Sequence, residues 1–297
     1  MFKLIKFIIG FVIFLIISVI IFGIVLIVLN RGNKAKQINK TTAISDYTSV
    51  TVNVDVKDSY VVVKKSKTSN VVVTYYESKT RTFDYEVEKD SLDNATINVK
   101  GYQLGKWYNR IFLSLKGTKV YGITVEVPDD VSVNVKTDNG NIRFEENLYA
   151  STLTADTTNG AVILKNVNAQ IISANTVNGN IEATSTTTTL SFYARTRKGN
   201  VKLSSLTSLA IVDVTTDNGK ITADINNTTV LADVKLHSGK GNIEGTIRIL
   251  TDALYKVKAK AKNGKVTDLV NSDTGINTLD VSTDNGDITL RINKVVA

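Results

Sequence analysis

The sequence predicts an all-β protein: a β-solenoid of stacked two-strand coils of about 20 residues, with a small β lead-in domain and one amino-terminal transmembrane helix. Three observations predict it. A glycine-centred motif recurs at Gly140, Gly160, Gly179, Gly199, Gly219, Gly241, Gly264 and Gly286, with gaps of 20, 19, 20, 20, 22, 23 and 22 residues. Around each glycine, apolar and polar positions alternate strictly. An uncharged run of 24 residues, Phe7 to Asn30, precedes all of this.

The amino-terminal run is interrupted only by Gly10, Ser18, Gly23 and Asn30. As a helix it spans about 35 Å, enough for a bilayer. A cleaved signal peptide has a shorter apolar region ending in a small-x-small site, so an uncleaved anchor over residues 1–30 is expected, with the lipid bilayer as its partner through residues 7–30. The net charge of +8 is concentrated here: residues 1–40 hold six Lys or Arg and no acid, while 131–297 hold 18 basic and 16 acidic side chains. The excess therefore points to anionic headgroups rather than nucleic acid. A positive-inside count puts the body in the cytoplasm, but long domains translocate largely regardless of such counts. We expect the body outside the cell membrane. Residues 31–45 read as a basic tether without periodicity.

Residues 46–130 read as a β-rich lead-in or cap domain. Val50–Val56 alternates cleanly, and short strands are expected around Tyr60–Val63, Val71–Tyr75, Phe83–Val87, Ala95–Val99, Ile111–Leu115 and Ile123–Val127. Trp107, Tyr108 and Phe112 are read as a core or cap plug rather than a ligand platform.

Residues 131–297 read as the repeat domain. Three residues before each glycine stand Thr137, Thr157, Thr176, Thr196, Thr216, Ser238, Ala261 and Thr283. Five and seven before, and two after, the columns are small or apolar, as in Ala194, Phe192 and Val201; the columns between are polar. This is the pattern of strands with one buried face. Glycine at the bend is expected for its tolerance of positive φ. The pattern fits either an arch stacked as parallel coils or a hairpin in an antiparallel meander. Recurrence in register favours the solenoid, as does the need to cover the apolar face. One unit cannot hold itself together, so the array is expected to be contiguous and capped.

At this point the residues carry a resemblance. Alternating strands, then Val125-Glu126-Val127-Pro128-Asp129-Asp130, then repeated Thr-x-Asn-Gly-x-Ile units resemble the bacterial β-strand-repeat "putative adhesin" family of unknown function, over about residues 46–293. The anchor makes the chain similar to membrane-anchored members, some of which accompany cell-envelope stress-response systems. The resemblance implies the fold, and it implies no catalytic residues. Lys198 and Lys240 in place of the turn Asn, Ala261 in place of Thr, and Asp268 in a column of Phe144, Leu164 and Leu203 depart from the pattern and mark coils six and seven as irregular.

The chemistry read from the sequence is sparse. No cysteine and one histidine exclude thiol catalysis and multi-histidine metal sites. His237 falls in an outward column, and Asp138, Asp217 and Asp284 read as turn residues rather than calcium ligands. No catalytic residue, metal or cofactor is assigned. The one candidate surface is a basic stripe. Tyr193, Arg195 and Arg197 lie on one coil, Lys235 two coils on, then Lys258, Lys260 and Lys262; stacking aligns them to meet teichoic acid or lipid phosphate. A solvated face with scattered lysines is the plainer reading. The function read from all this is a membrane-anchored, non-catalytic, monomeric envelope module for interaction or adhesion, or an envelope-stress accessory, with an envelope polymer or a membrane signalling protein as partner. The alternatives are a polymer-forming scaffold templated by the final strand Asp287–Ile292, against which Arg291 and Lys294 stand as edge guards that favour a monomer, and, behind it, a carbohydrate-active β-helix enzyme.

Overall fold

A computed structural model describes residues 2–29, 35–78, 81–103, 122–227, 232–250 and 254–295. Trp107, Tyr108, Phe112 and the strand expected at Ile111–Leu115 lie outside the described residues. The first element is a 28-residue helix, α1 (Phe2–Leu29). Its described side chains are those of residues 11–12 and 14–25, a stretch shorter than the uncharged run. Among the described residues, no helix is long and apolar enough to cross a membrane.

All else is strand. β1 (Lys36–Ala43), β2 (Ser49–Val56), β3 (Val61–Lys65), β4 (Asn70–Glu77), β5 (Arg81–Lys89), β6 (Asn94–Gln103) and β7 (Ile123–Val127) precede the motif array. Within it follow β8 (Val131–Asn139), β9 (Ile142–Glu145), β10 (Leu148–Asn159), β11 (Val162–Thr176), β12 (Ile181–Lys198), β13 (Val201–Ser208), β14 (Ile211–Asn218), β15 (Ile221–Asn227), β16 (Asp233–Lys240), β17 (Ile243–Leu250), β18 (Tyr255–Asn263), β19 (Val266–Thr267), β20 (Asn277–Asn285) and β21 (Ile288–Val295). From β8 onward every ladder is parallel, which selects the solenoid over the meander. The segments before each bend form one face, A, and those after it the other, B. Between them lies a dry core of the predicted columns, including Phe192, Val212, Ile181 and Val201, all 1% exposed or less.

The bends stack in one row, and the reason for glycine differs from the one expected. A Cβ on Gly199 would sit 1.8 Å from the carbonyl oxygen of Gly179; on Gly179, 1.9 Å from that of Gly160; on Gly160, 2.0 Å from that of Gly140. Only Gly241 and Gly286 of the eight have positive φ. Glycine is required chiefly because backbone lies on backbone. The same oxygens explain the threonine column. Thr176, Thr196 and Thr216 each donate a 2.9 Å hydrogen bond to the glycine carbonyl of the preceding coil, at Gly160, Gly179 and Gly199, and Ser238 does so to Gly219. Outside the bend, asparagine amides form a second ladder, Asn178 to Asn159 to Asn139.

A second corner was not legible in the sequence. Six residues past the glycine, Glu146, Asn166, Ser185 and Ser205 take left-handed φ of 67°, 53°, 49° and 56°. This lets one long strand pass from face B of one coil into face A of the next, as in β11 and β12.

Spatial order departs from chain order at both ends. β2 and β3 pair in parallel with β8 and β9, so the stack extends back past residue 131. β6 and β7 lie outside β2 and β3, with antiparallel β5 on β6, and β4 then β1 on β7. The segment read as a tether is thus largely a strand. Its backbone pairs with β4 whatever its side-chain pattern, and only Ile38 and Thr42 of β1 reach the core side. Rings of Tyr75 and Phe83, 4.6 Å between centroids, close this end. At the other end, β20 and β21 insert between β16/β17 and β18/β19. On face A this encloses β20 fully, while on face B β19 covers the final strand only at Ile288 and Thr289 among the described residues. The irregular coil, with Ala261 and Asp268, is placed outermost, and Thr283 of the regular coil donates to Gly241 instead, at 3.0 Å. Asp268 takes a 2.8 Å ion pair with Arg291, which ties β21 to the outermost coil.

Tyr255 fastens the outermost coil: its hydroxyl donates to Ala232 O at 2.9 Å and accepts from Asn227 at 3.0 Å. Burial pushes its phenol up to about 12 from 10.0, with the nearby Asp233 charge adding to the rise and the Asn227 hydrogen bond opposing it. A raised folded pKa holds its stabilisation below the unfolded value and loses it as pH climbs through the folded one. The contribution of Tyr255 to stability is therefore expected to be independent of pH below pH 10 and to fall between pH 10 and about 12. Urea titrations across that window should show the fall blunted in Tyr255→Phe.

Candidate functional site

The outer surface of face A carries the predicted site residues, and register decides which of them meet. Tyr193, Arg195 and Arg197 of β12 lie opposite Asp213, Thr215 and, one position beyond Thr216, Asp217 of β14. Lys235 and His237 of β16 lie on the far side of β14. Asp213 sits between, its carboxylate 3.9 Å from both Arg195 and Lys235. Lys258, Lys260 and Lys262 of β18 do not follow β16. Strand β20 intervenes, setting Asp280 and Ser282 against Lys258 and Lys260. The expected continuous stripe is thus broken into rows of alternating sign. The sequence columns were right and the coil order was not.

Two recesses result. One, of about 410 Å³, crosses coils from β8 to β14. Its rim bears three cations, Lys136, Arg195 and Arg197, and three carboxylates, Asp138, Asp156 and Asp217; Thr158, Asn175 and Val177 also line it. Asn175 is held by a 2.9 Å hydrogen bond to Asp156 and a 3.2 Å one to Ser173. The other, of about 500 Å³, lies between β18 and the return segment at Asn271–Asp273, with Lys258 and Lys260 on its wall. Asp138 and Asp217, read from sequence as turn residues, thus belong to the first recess; their alternate outward positions were the signal available. Both recesses offer fixed hydrogen-bond donors and acceptors on a rigid lattice, suited to reversible polar contact. His237 accepts from or donates to Ser282 at 3.0 Å, on the same face. Among the described residues, no three His, Cys, Asp or Glu side chains are grouped to hold a metal ion.

Comparison with known proteins gives a family but not an activity. The Toastrack DUF4097 family profile matches residues 50–291. No curated protein matches. Solved structures that resemble the chain include a "putative cell adhesion protein" from Clostridium sporogenes, at 14% identity over 87% of this chain and 100% of that one, TM-score 0.34. A "putative adhesin" from Bacteroides fragilis is 13% identical over 86% and 97%, TM-score 0.48. Another "putative adhesin", from Parabacteroides distasonis, is 14% identical over 86% and 98%, TM-score 0.41. With the profile spanning the whole stack from β2 to β21, the chain belongs to the Toastrack DUF4097 family.

Proposed function

We propose that this protein is a membrane-anchored, non-catalytic interaction or adhesion module of the cell envelope, with its β-stack outside the membrane and face A as the contact surface. The observation that carries the anchoring is α1. Each described large apolar side chain from Phe11 to Val25 is at least 46% exposed, on every side of the helix. A helix that is apolar all round needs an apolar surrounding, and its 24-residue uncharged run matches a bilayer. The adhesion reading draws on family membership and on the polar recesses. An envelope-stress accessory role is the variant of this reading in which the contact is a membrane signalling protein.

Fractionation and protease treatment of intact cells test it. The full chain is expected in the membrane fraction after a high-salt wash, and removal of residues 2–29 should release it. The stack should be digested on intact cells. A soluble full-length chain overturns the anchor, and a stack protected until lysis overturns the orientation. For the contact surface, Arg195→Glu with Arg197→Glu should weaken retention on anionic wall polymer several-fold. Unchanged retention removes face A around β12 as the ligand surface.

A further inference from the structure

The two ends of the stack are unlike, and the difference lies in charge. On face A the outward rows alternate in sign as they approach the carboxyl-terminal end: Arg195 and Arg197, then Asp213 and Asp217, then Lys235, then Asp280 and Asp284. The series stops on β18, whose charged residues are Lys256, Lys258, Lys260 and Lys262 with no acid. Among the described residues, the opposite end of the same face is β5, which pairs with β6 alone. Its exposed outward residues are Asp84, Glu86 and Glu88. Among the described residues, neither those three carboxylates nor the ammoniums of Lys258, Lys260 and Lys262 have an ion-pair partner. Each end also exposes apolar side chains: Val87 (41%) and Leu92 (73%) beside β5, Val270 (84%) and Ile276 (98%) beside β18.

We propose that a second copy of this chain docks head to tail, the acidic β5 end of one molecule against the lysine-bearing β18 end of the next. The acidic row takes the next place in the alternating series, and cross-strand neighbours of opposite sign attract. β5 runs antiparallel to β6 and hence to the direction shared by the face A strands, so the junction is antiparallel. Ser272 and Asn271 already bond the backbone of Val257 and Ala259, so the contact is made by side chains, not by a new ladder. On face B the outward positions of the end strands are Gln37, Asn39 and Thr41 of β1 and Thr289, Arg291 and Asn293 of β21, which offer no opposed rows of charge and confine the match to face A. A contact between unlike patches leaves each molecule able to take a further copy, so it generates rows, open or closed into a ring. It is independent of any envelope ligand.

Full-length protein, one chain per lipid nanodisc, tests this by light scattering across concentration. Association is expected at low salt and should fade at about 500 mM, where screening shortens to a few ångströms. Lys258→Glu/Lys260→Glu/Lys262→Glu and, separately, Asp84→Lys/Glu86→Lys/Glu88→Lys should each weaken it about tenfold or more. An equimolar mixture of the two triple variants should restore it, because each reversed end meets its complement. That restoration also shows that both variants are folded. Single-disc mass for the wild type at every concentration, association untouched by either reversal, or a mixture that fails to restore it overturns the proposal. Wall-polymer binding is absent from the assay, so its outcome does not bear on the adhesion reading.

Discussion

Gly199→Ala is expected to destabilise the stack by more than about 4 kcal/mol. The added carbon would lie 1.8 Å from Gly179 O and 2.5 Å from Gly179 C. Those are main-chain atoms held by parallel ladders on both faces, so no side chain can rotate away. Relief requires opening the spacing between two coils, and that breaks ladder bonds and the 2.9 Å hydrogen bonds from Thr196 and Thr216 to the bend carbonyls on either side. Urea unfolding followed by far-ultraviolet circular dichroism measures the loss. Gly23→Ala is the control, because nothing lies within 4 Å of its added methyl. A shift below about 1 kcal/mol for Gly199→Ala would mean the bends are not in backbone contact.

Phe192→Ala is expected to cost about 3–5 kcal/mol. The ring is 0% exposed, between the columns of Ile172 and Val212 on neighbouring coils. Parallel ladders fix the coil spacing, so the walls cannot collapse into the void. Because each coil contacts only its neighbours, the loss is expected to split the array into two weakly coupled halves. A broadened or biphasic urea transition reports that split, and a sharp transition displaced by less than about 1 kcal/mol contradicts it.

The repeat and its inward columns were legible because side-chain alternation and the bend recur in the sequence. What lay hidden was set by backbone geometry. Glu146, Asn166, Ser185 and Ser205 share a left-handed corner but no single residue type runs through it, so no pattern announced it. The order of coils was hidden for a related reason. Nothing in a list of repeats says that Ala261, lacking the hydroxyl that Thr283 presents to Gly241, makes its coil the one to leave outermost. That misplacement carried over to the surface: Lys235 and Lys258 appeared contiguous until β20 set Asp280 between them. β1 was missed because strand pairing there uses main-chain groups, while Lys36, Gln37, Asn39 and Lys40 give no alternation.

The inserted position of β20 and β21 has a consequence for biogenesis. Strands β18 and β19 are synthesised before β20 and β21, the strands that seat them against the rest of the stack, so they are expected to dock only once β20 and β21 have been made.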